Sequence, residues 1–180
     1  MKPLPAVAMG LVVVLLNVPV HGYDLLADPL GWVLVLIGLS ALPVPQQRTV
    51  RTLATVSLIV SLPVWVPAAR DALNVTDDAL AWAAGIPEVL TLIVLAHSLA
   101  GVARSSGDAP AGRWLLTART LFVVVLLIPP VVLGAHLGRL VPAAAVFGSL
   151  TLLLMVVLLF RYAGRPWARP ADPVPAVRGE

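Results

Sequence analysis

Residues 21–42, HGYDLLADPLGWVLVLIGLSAL, set a short polar and acidic stretch directly before an unbroken apolar run that opens at Asp28-Pro29 and holds Gly31 and Gly38. The run is too long for an ordinary strand and has no polar face to turn toward water, so it predicts a helix whose solvent is lipid. Asp before Pro is a helix-opening pair: the carboxylate caps free amides, and proline, lacking an N–H, loses nothing in the first turn. The stretch reads as the hinge of a transmembrane helical hairpin, and the rest of the chain as two looser versions of it.

Composition agrees. Of 180 residues, 59% are hydrophobic and 12% charged, against roughly 45–50% and about 25% in soluble domains. The apolar residues fall in blocks long enough to cross a hydrocarbon core of about 30 Å. Six spans are expected, at about 4–20, 28–44, 52–68, 86–103, 114–135 and 141–160. The fold class is all-α: a polytopic membrane helical bundle filling 1–164, followed by a proline-rich tail, 165–180, too poor in apolar residues to fold. The connection 69–85 suits either an interfacial helix or the outer turns of the fourth span, and RSSGDAPAGR at 104–113 has the composition of a flexible linker.

Six spans put both termini on one side. That side carries Lys2, Arg48, Arg51, Arg104, Arg113, Arg119, Arg161, Arg165, Arg169 and Arg178; the other carries Arg70 and Arg139. The positive-inside rule makes the first side cytoplasmic. Trp32, Trp65, Trp82, Trp114 and Trp167 fall near span ends, where an amphipathic ring prefers the interface. Arginine outnumbers lysine 11 to 1 beside abundant Ala, Val, Leu, Pro and Gly, the bias of a G+C-rich bacterial genome, so the expected location is a bacterial cytoplasmic membrane.

Proline marks the spans in a pattern. The outward-running spans carry it near their far ends (Pro19; Pro63 and Pro67; Pro129 and Pro130), where it bends or ends a helix. The returning spans begin just after Pro29, Pro87 and Pro142. With Arg51-Thr52-Leu53 echoed by Arg119-Thr120-Leu121, this reads as three repeated hairpins. Proline-loosened backbone at membrane depth is tolerated where protein or water covers it, which predicts a shallow cavity on the outer face. Small residues four apart (Ala6 with Gly10, Ala96 with Ala100, Gly134 with Gly138, Ala144 with Gly148) are candidates for close helix approach.

The candidate outer-cavity residues are Glu88, Asp24, Asp28 and His21. On a helix, His21, Asp24 and Asp28 would share a face as a hard-cation or proton site. The plainer reading makes Asp28 a helix cap and leaves Asp24 solvated. Glu88, in the first turn of the fourth span, is either a carboxylate favoured by the helix dipole or a cation-responsive group in the cavity. His97 and Asn17 are candidate intramembrane hydrogen-bonding residues between helices, and His136 an interfacial one.

There is no cysteine, hence no disulfide, thiolate metal site or cysteine nucleophile. The chain also lacks a Gly-x-Ser-x-Gly elbow, a phosphate-cradling glycine loop and a His-Glu-x-x-His pair. No catalytic residue, cofactor or metal is expected. The basic residues form no stripe interleaved with aromatics, so nucleic acid is not an expected partner; the lipid bilayer is, with a second copy or another membrane protein as further candidates.

Asp24, Leu25, Leu26, Asp28, Gly31, Trp32, Gly38 and Leu39 resemble the external turn and second span of a group of small multi-pass bacterial membrane proteins of unassigned function. The usual pattern has proline before the second aspartate, where this chain has Ala27 and then Pro29 after it. The resemblance implies a multi-pass membrane fold and no activity. Three functional classes follow from the sequence: a non-enzymatic accessory subunit or small-molecule binder, a small transporter or channel-like protein using the outer cavity, and, third, a lipid-modifying membrane enzyme.

Overall fold

A computed structural model describes residues 2–16, 19–20, 23–24, 28–66, 78–135 and 138–169. Among them are six α-helices: α1 (Pro3–Leu15), α2 (Asp28–Ser40), α3 (Gln47–Trp65), α4 (Asp78–Ser105), α5 (Ala109–Gly134) and α6 (Val141–Tyr162). Two 3-10 turns, Gly138–Leu140 and Pro166–Ala168, flank α6. Pro19–Val20 (β1) and Tyr23–Asp24 (β2) form a minimal antiparallel pair, with Pro19 opposite Asp24. Each helix packs chiefly on its neighbours in sequence, and α6 returns to α1, closing a ring.

Among the described residues, three helical stretches are long and apolar enough to cross a membrane: Trp82–Ser105, Ala109–Val132 and Gly138–Tyr162. The apolar helices α1 and α2 are shorter, 13 residues each, about 20 Å at 1.5 Å per residue. They stop before the ends assigned from hydropathy because prolines follow: Pro19 after α1, and Pro43 and Pro45 after α2. The α2 terminus is closed by Gln47, whose amide donates to the Leu39 and Ser40 carbonyls at 3.0 and 3.2 Å. In α3, Arg48 and Arg51 in the opening turns lower the apolar content of a helix otherwise long enough to span.

The prolines behave less uniformly than their spacing suggests. Pro29 and Pro142 do sit in first turns, but Pro87 lies more than two turns inside α4, and α5 runs unbroken through Pro129 and Pro130. Residues 78–85 are therefore the first turns of α4, the second of the two readings of that connection; 67–77 lie outside the described residues.

Two seams hold the bundle. The first is α1 on α2. A Cβ added to Gly10 would lie 2.5 Å from the Gly31 carbonyl oxygen, and one on Gly31 would lie 2.7 Å from that of Gly10; one on Gly38 would meet the Pro3 carbonyl oxygen at 2.8 Å. Backbone touches backbone here, which lipid-embedded helices exploit because apolar side chains gain little by leaving lipid for each other. Of the small-residue pairs predicted from spacing, Gly10 takes part in such an approach, but Gly134 and Gly138 face open space.

The second seam is α4 on α5, joined at 104–113. The composition there predicts a flexible linker, and the structure corrects this to a fully capped turn. Gly107, at φ +80°, takes the left-handed position; its N–H bonds the Arg104 carbonyl at 3.1 Å and the Asp108 N–H bonds that of Ala103 at 2.9 Å. These are the two bonds that close a helix C-terminus around glycine. Asp108 then caps α5, accepting from the Ala111 N–H at 3.2 Å.

Burial is concentrated at the end of the ring that holds this turn and the start of α1. There Leu4, Val7 and Leu11 meet Val35 and Leu39, with Leu95, Leu99, Leu115, Phe122, Met155 and Leu159 completing the core. At the opposite end, which holds the first turns of α2, α4 and α6, the helices are less buried and cavities open between them. The glycine seam is testable: Gly31→Leu should cost about 1–3 kcal/mol through overpacking. Gly101→Ala, where a Cβ meets nothing within 4 Å, should be neutral or gain up to about 1 kcal/mol. Thermal unfolding of the detergent-solubilised chain compares them, and equal midpoints would refute the seam.

Candidate functional site

The polar cavity of the open end lies between α2, α3 and α4. It has a volume of about 190 Å³ and is lined by Asp28, Trp32, Ser57, Val60, Ser61, Ala84, Gly85 and Glu88. Helical periodicity assembles it: Asp28 and Trp32 are one turn apart on α2, Ser57 and Ser61 one turn apart on α3, and Ala84 and Glu88 one turn apart on α4. The space exists because α4 contributes alanine and glycine where the other two helices contribute larger groups; a Cβ on Gly85 would meet nothing within 4 Å.

The hydroxyl hydrogens are already spent. Ser57 donates to the Leu53 carbonyl at 3.0 Å and Ser61 to that of Leu58 at 2.8 Å. A hydroxyl used this way offers only lone pairs to anything else. Together with two carboxylates, the polar wall presents acceptors. Asp28 and Glu88 are close enough for their charges to act on one another. The floor is a contact between Ser57 and Thr91, whose oxygens lie 3.4 Å apart, with Thr91 bonded to the Pro87 carbonyl at 2.7 Å. Beneath it Leu92, Leu95 and Leu99 are fully buried.

Of the residues singled out from sequence, Asp28 and Glu88 meet in this cavity. Asp24 falls in β2, and His21, Asn17 and His136 lie outside the described residues. Two expectations need correction. Glu88 does not occupy a first turn: α4 begins at Asp78, so Glu88 sits nearly three turns in, beyond the reach of the helix dipole. His97 is exposed on the outside of α4 and, among the described residues, forms no hydrogen bond to a neighbouring helix; the buried Ser98 beside it donates to the Gln46 side-chain oxygen at 3.2 Å. Trp32 is also relocated. It is 1% exposed and packs inside the bundle, whereas Trp65 and Trp114 are exposed as interfacial rings should be.

A second polar cluster, at the packed end, was not anticipated. Trp167 donates its indole N–H to Asp108 at 3.2 Å, Arg165 approaches the same carboxylate at 3.5 Å, and the Trp167 ring lies 6.0 Å from that of Tyr162. Residues just beyond α6, assigned to the tail by composition, are thus tied to the α4–α5 turn. The signal was legible in Gly107-Asp108-Ala109-Pro110, a helix stop followed by a cap and proline in the first turn. The Trp167 and Ala111 hydrogen bonds and the Arg165 charge, the indole bond foremost, hold the Asp108 carboxyl below the usual carboxylate range.

A carboxyl with a lowered folded-state pKa adds stability that is present above its unfolded value and lost as pH falls through the folded one. The clasp is therefore expected to hold at neutral pH and open only under acid conditions. Fluorescence of a chain retaining Trp167 as its single tryptophan should change in that acid window. The transition should vanish in Asp108→Asn, and persistence there would remove Asp108 as its cause. Comparison with family models, curated proteins and solved structures finds no match for this chain.

Proposed function

We propose that the chain is a six-span integral protein of a bacterial cytoplasmic membrane, with its packed end and both termini in the cytoplasm, and that it binds a small cationic solute in the polar cavity of its open end. Every described basic residue except Arg139 lies toward the packed end, which supports that orientation. The short helices α1 and α2 belong in the bilayer on this reading because they complete the same ring as the three long apolar helices.

The observation that carries the ligand class is the chemistry of the wall. Asp28, Glu88 and two hydroxyls whose protons are already committed offer acceptors, beside the indole of Trp32. Carboxylates attract a cation and an aromatic face adds to that attraction, the more so away from water. An anion would find no donor among the serines. The volume suits an alkylammonium of a few carbons rather than a drug-sized molecule, whose pockets begin at about 300 Å³.

The cavity is a cul-de-sac, closed beneath by the Ser57–Thr91 contact and the buried leucines. That favours a non-enzymatic binder over an open channel; transport would require the leucine layer to part. Tetramethylammonium titrated into the purified chain should quench tryptophan fluorescence. Glu88→Gln should weaken the affinity at least about tenfold, the value of a lost charged contact. An equal affinity in the variant, or equal binding of an uncharged molecule of the same shape, would defeat the proposal.

A further inference from the structure

A larger cavity of the open end is of opposite chemistry. It is a groove of about 510 Å³ between the second half of α5 and the first half of α6. Val124, Leu127, Ile128 and Val131 form one wall, with Ala144 and Phe147 opposite. No residue lining it carries a polar side chain. Leu127 and Val131 are 57% and 63% exposed, so the groove is uncovered along its length. The two helices part here for a local reason: small residues, Ala143, Ala144 and Gly148, face a helix carrying Pro129 and Pro130, and even at Gly148 an added Cβ would reach only Val125 at 3.8 Å.

We infer that this groove holds one acyl chain of a bilayer phospholipid, with the lipid phosphate at Arg139. Three observations select that occupant. From Val124 to Val132 the groove runs eight residues along α5, about 12 Å at 1.5 Å per residue and close to the depth of a single leaflet, half of the roughly 30 Å core. It begins at Leu140, and the residue before Leu140 is the exposed Arg139, the single basic residue described at this end. A cation at the headgroup end of an acyl-deep groove matches an anionic phospholipid in both charge and length. A second copy of the chain would instead bring an α-helix about 10 Å across, too wide to enter between two helices that still pack on each other. The inference is independent of the cation site, which lies between other helices.

Native mass spectrometry of the full chain, delipidated and then reloaded with phosphatidylglycerol or with a diacylglycerol of the same acyl chains, tests it. The wild-type chain should retain a tightly bound phosphatidylglycerol. Ala144→Phe, which fills the groove, should lose both lipids. Arg139→Gln, a change on an exposed turn that leaves the fold intact, should weaken phosphatidylglycerol about fivefold, the factor for one cation at a membrane surface, without altering diacylglycerol. Retention undiminished in Ala144→Phe, equal weakening of both lipids by Arg139→Gln, or a dimer that forms through the α5–α6 face would each overturn the inference.

Discussion

Backbone contact between α1 and α2 is the constraint on which the rest of the molecule depends. In water, apolar side chains alone would draw these helices together; in lipid that gain is largely lost, and close approach with its dispersion contacts has to supply the attraction. Gly10, Gly31 and Gly38 supply it by removing every side-chain atom between the two backbones. Because α1 also receives α6 and α2 also receives α3, the seam fixes where the ring begins and closes. The capped turn at Gly107-Asp108 does the same for α4 and α5 by hydrogen bonding rather than by packing. The capped turn draws α4 and α5 together at the packed end, whereas the glycine seam runs from that end, at Gly38, to the first turn of α2, at Gly31.

Divergence makes two cavities whose contents follow from which helices part. Between α2, α3 and α4 the lining positions carry carboxylates and hydroxyls; between α5 and α6 they are apolar throughout. The three hairpins are therefore unlike in what joins them: glycine contact in the first, a serine–threonine contact in the second, an open groove in the third. A common ancestry suggested by proline spacing has left no shared packing solution in this fold. In lipid, this difference matters more than it would in water. An acyl chain can fill the apolar gap, while the polar one suits water or a polar ligand.

Hydropathy blocks and the distribution of arginine made the all-helical membrane class legible, since both are properties of composition along the chain. Helix ends were less so. Pro87 looks like a helix start because proline favours first turns, yet Asp78 to Gly85 continue the helix upstream of it, and that misreading carried Glu88 to the wrong turn. Glu88 and Asp28 could be named from rarity alone, since a carboxylate in an apolar run is conspicuous. Ser57, Ser61 and Trp32 could not, because serine and tryptophan are ordinary in spans and only the crossing of three helices brings them to one space. Gly31 and Gly38 stand seven apart in the very stretch that betrays the hairpin, a spacing that keeps them on one helix face; what they touch depends on α1, which sequence spacing within α2 does not contain.

The seams also bear on where motion can occur. Beside the polar cavity α3 and α4 meet at the Ser57–Thr91 contact, 3.4 Å between oxygens, while at the packed end α3 is tied to α2 through Gln47, and its N-cap Gln46 is tied to α4 through Ser98. A charge entering between Asp28 and Glu88 acts across the weakest of these joints. It would pull α2 and α4 toward a common centre. The first turns of α3 carry Arg48 and Arg51 into the end opposite that cavity, so the same helix lines the acidic site and contributes to the basic end.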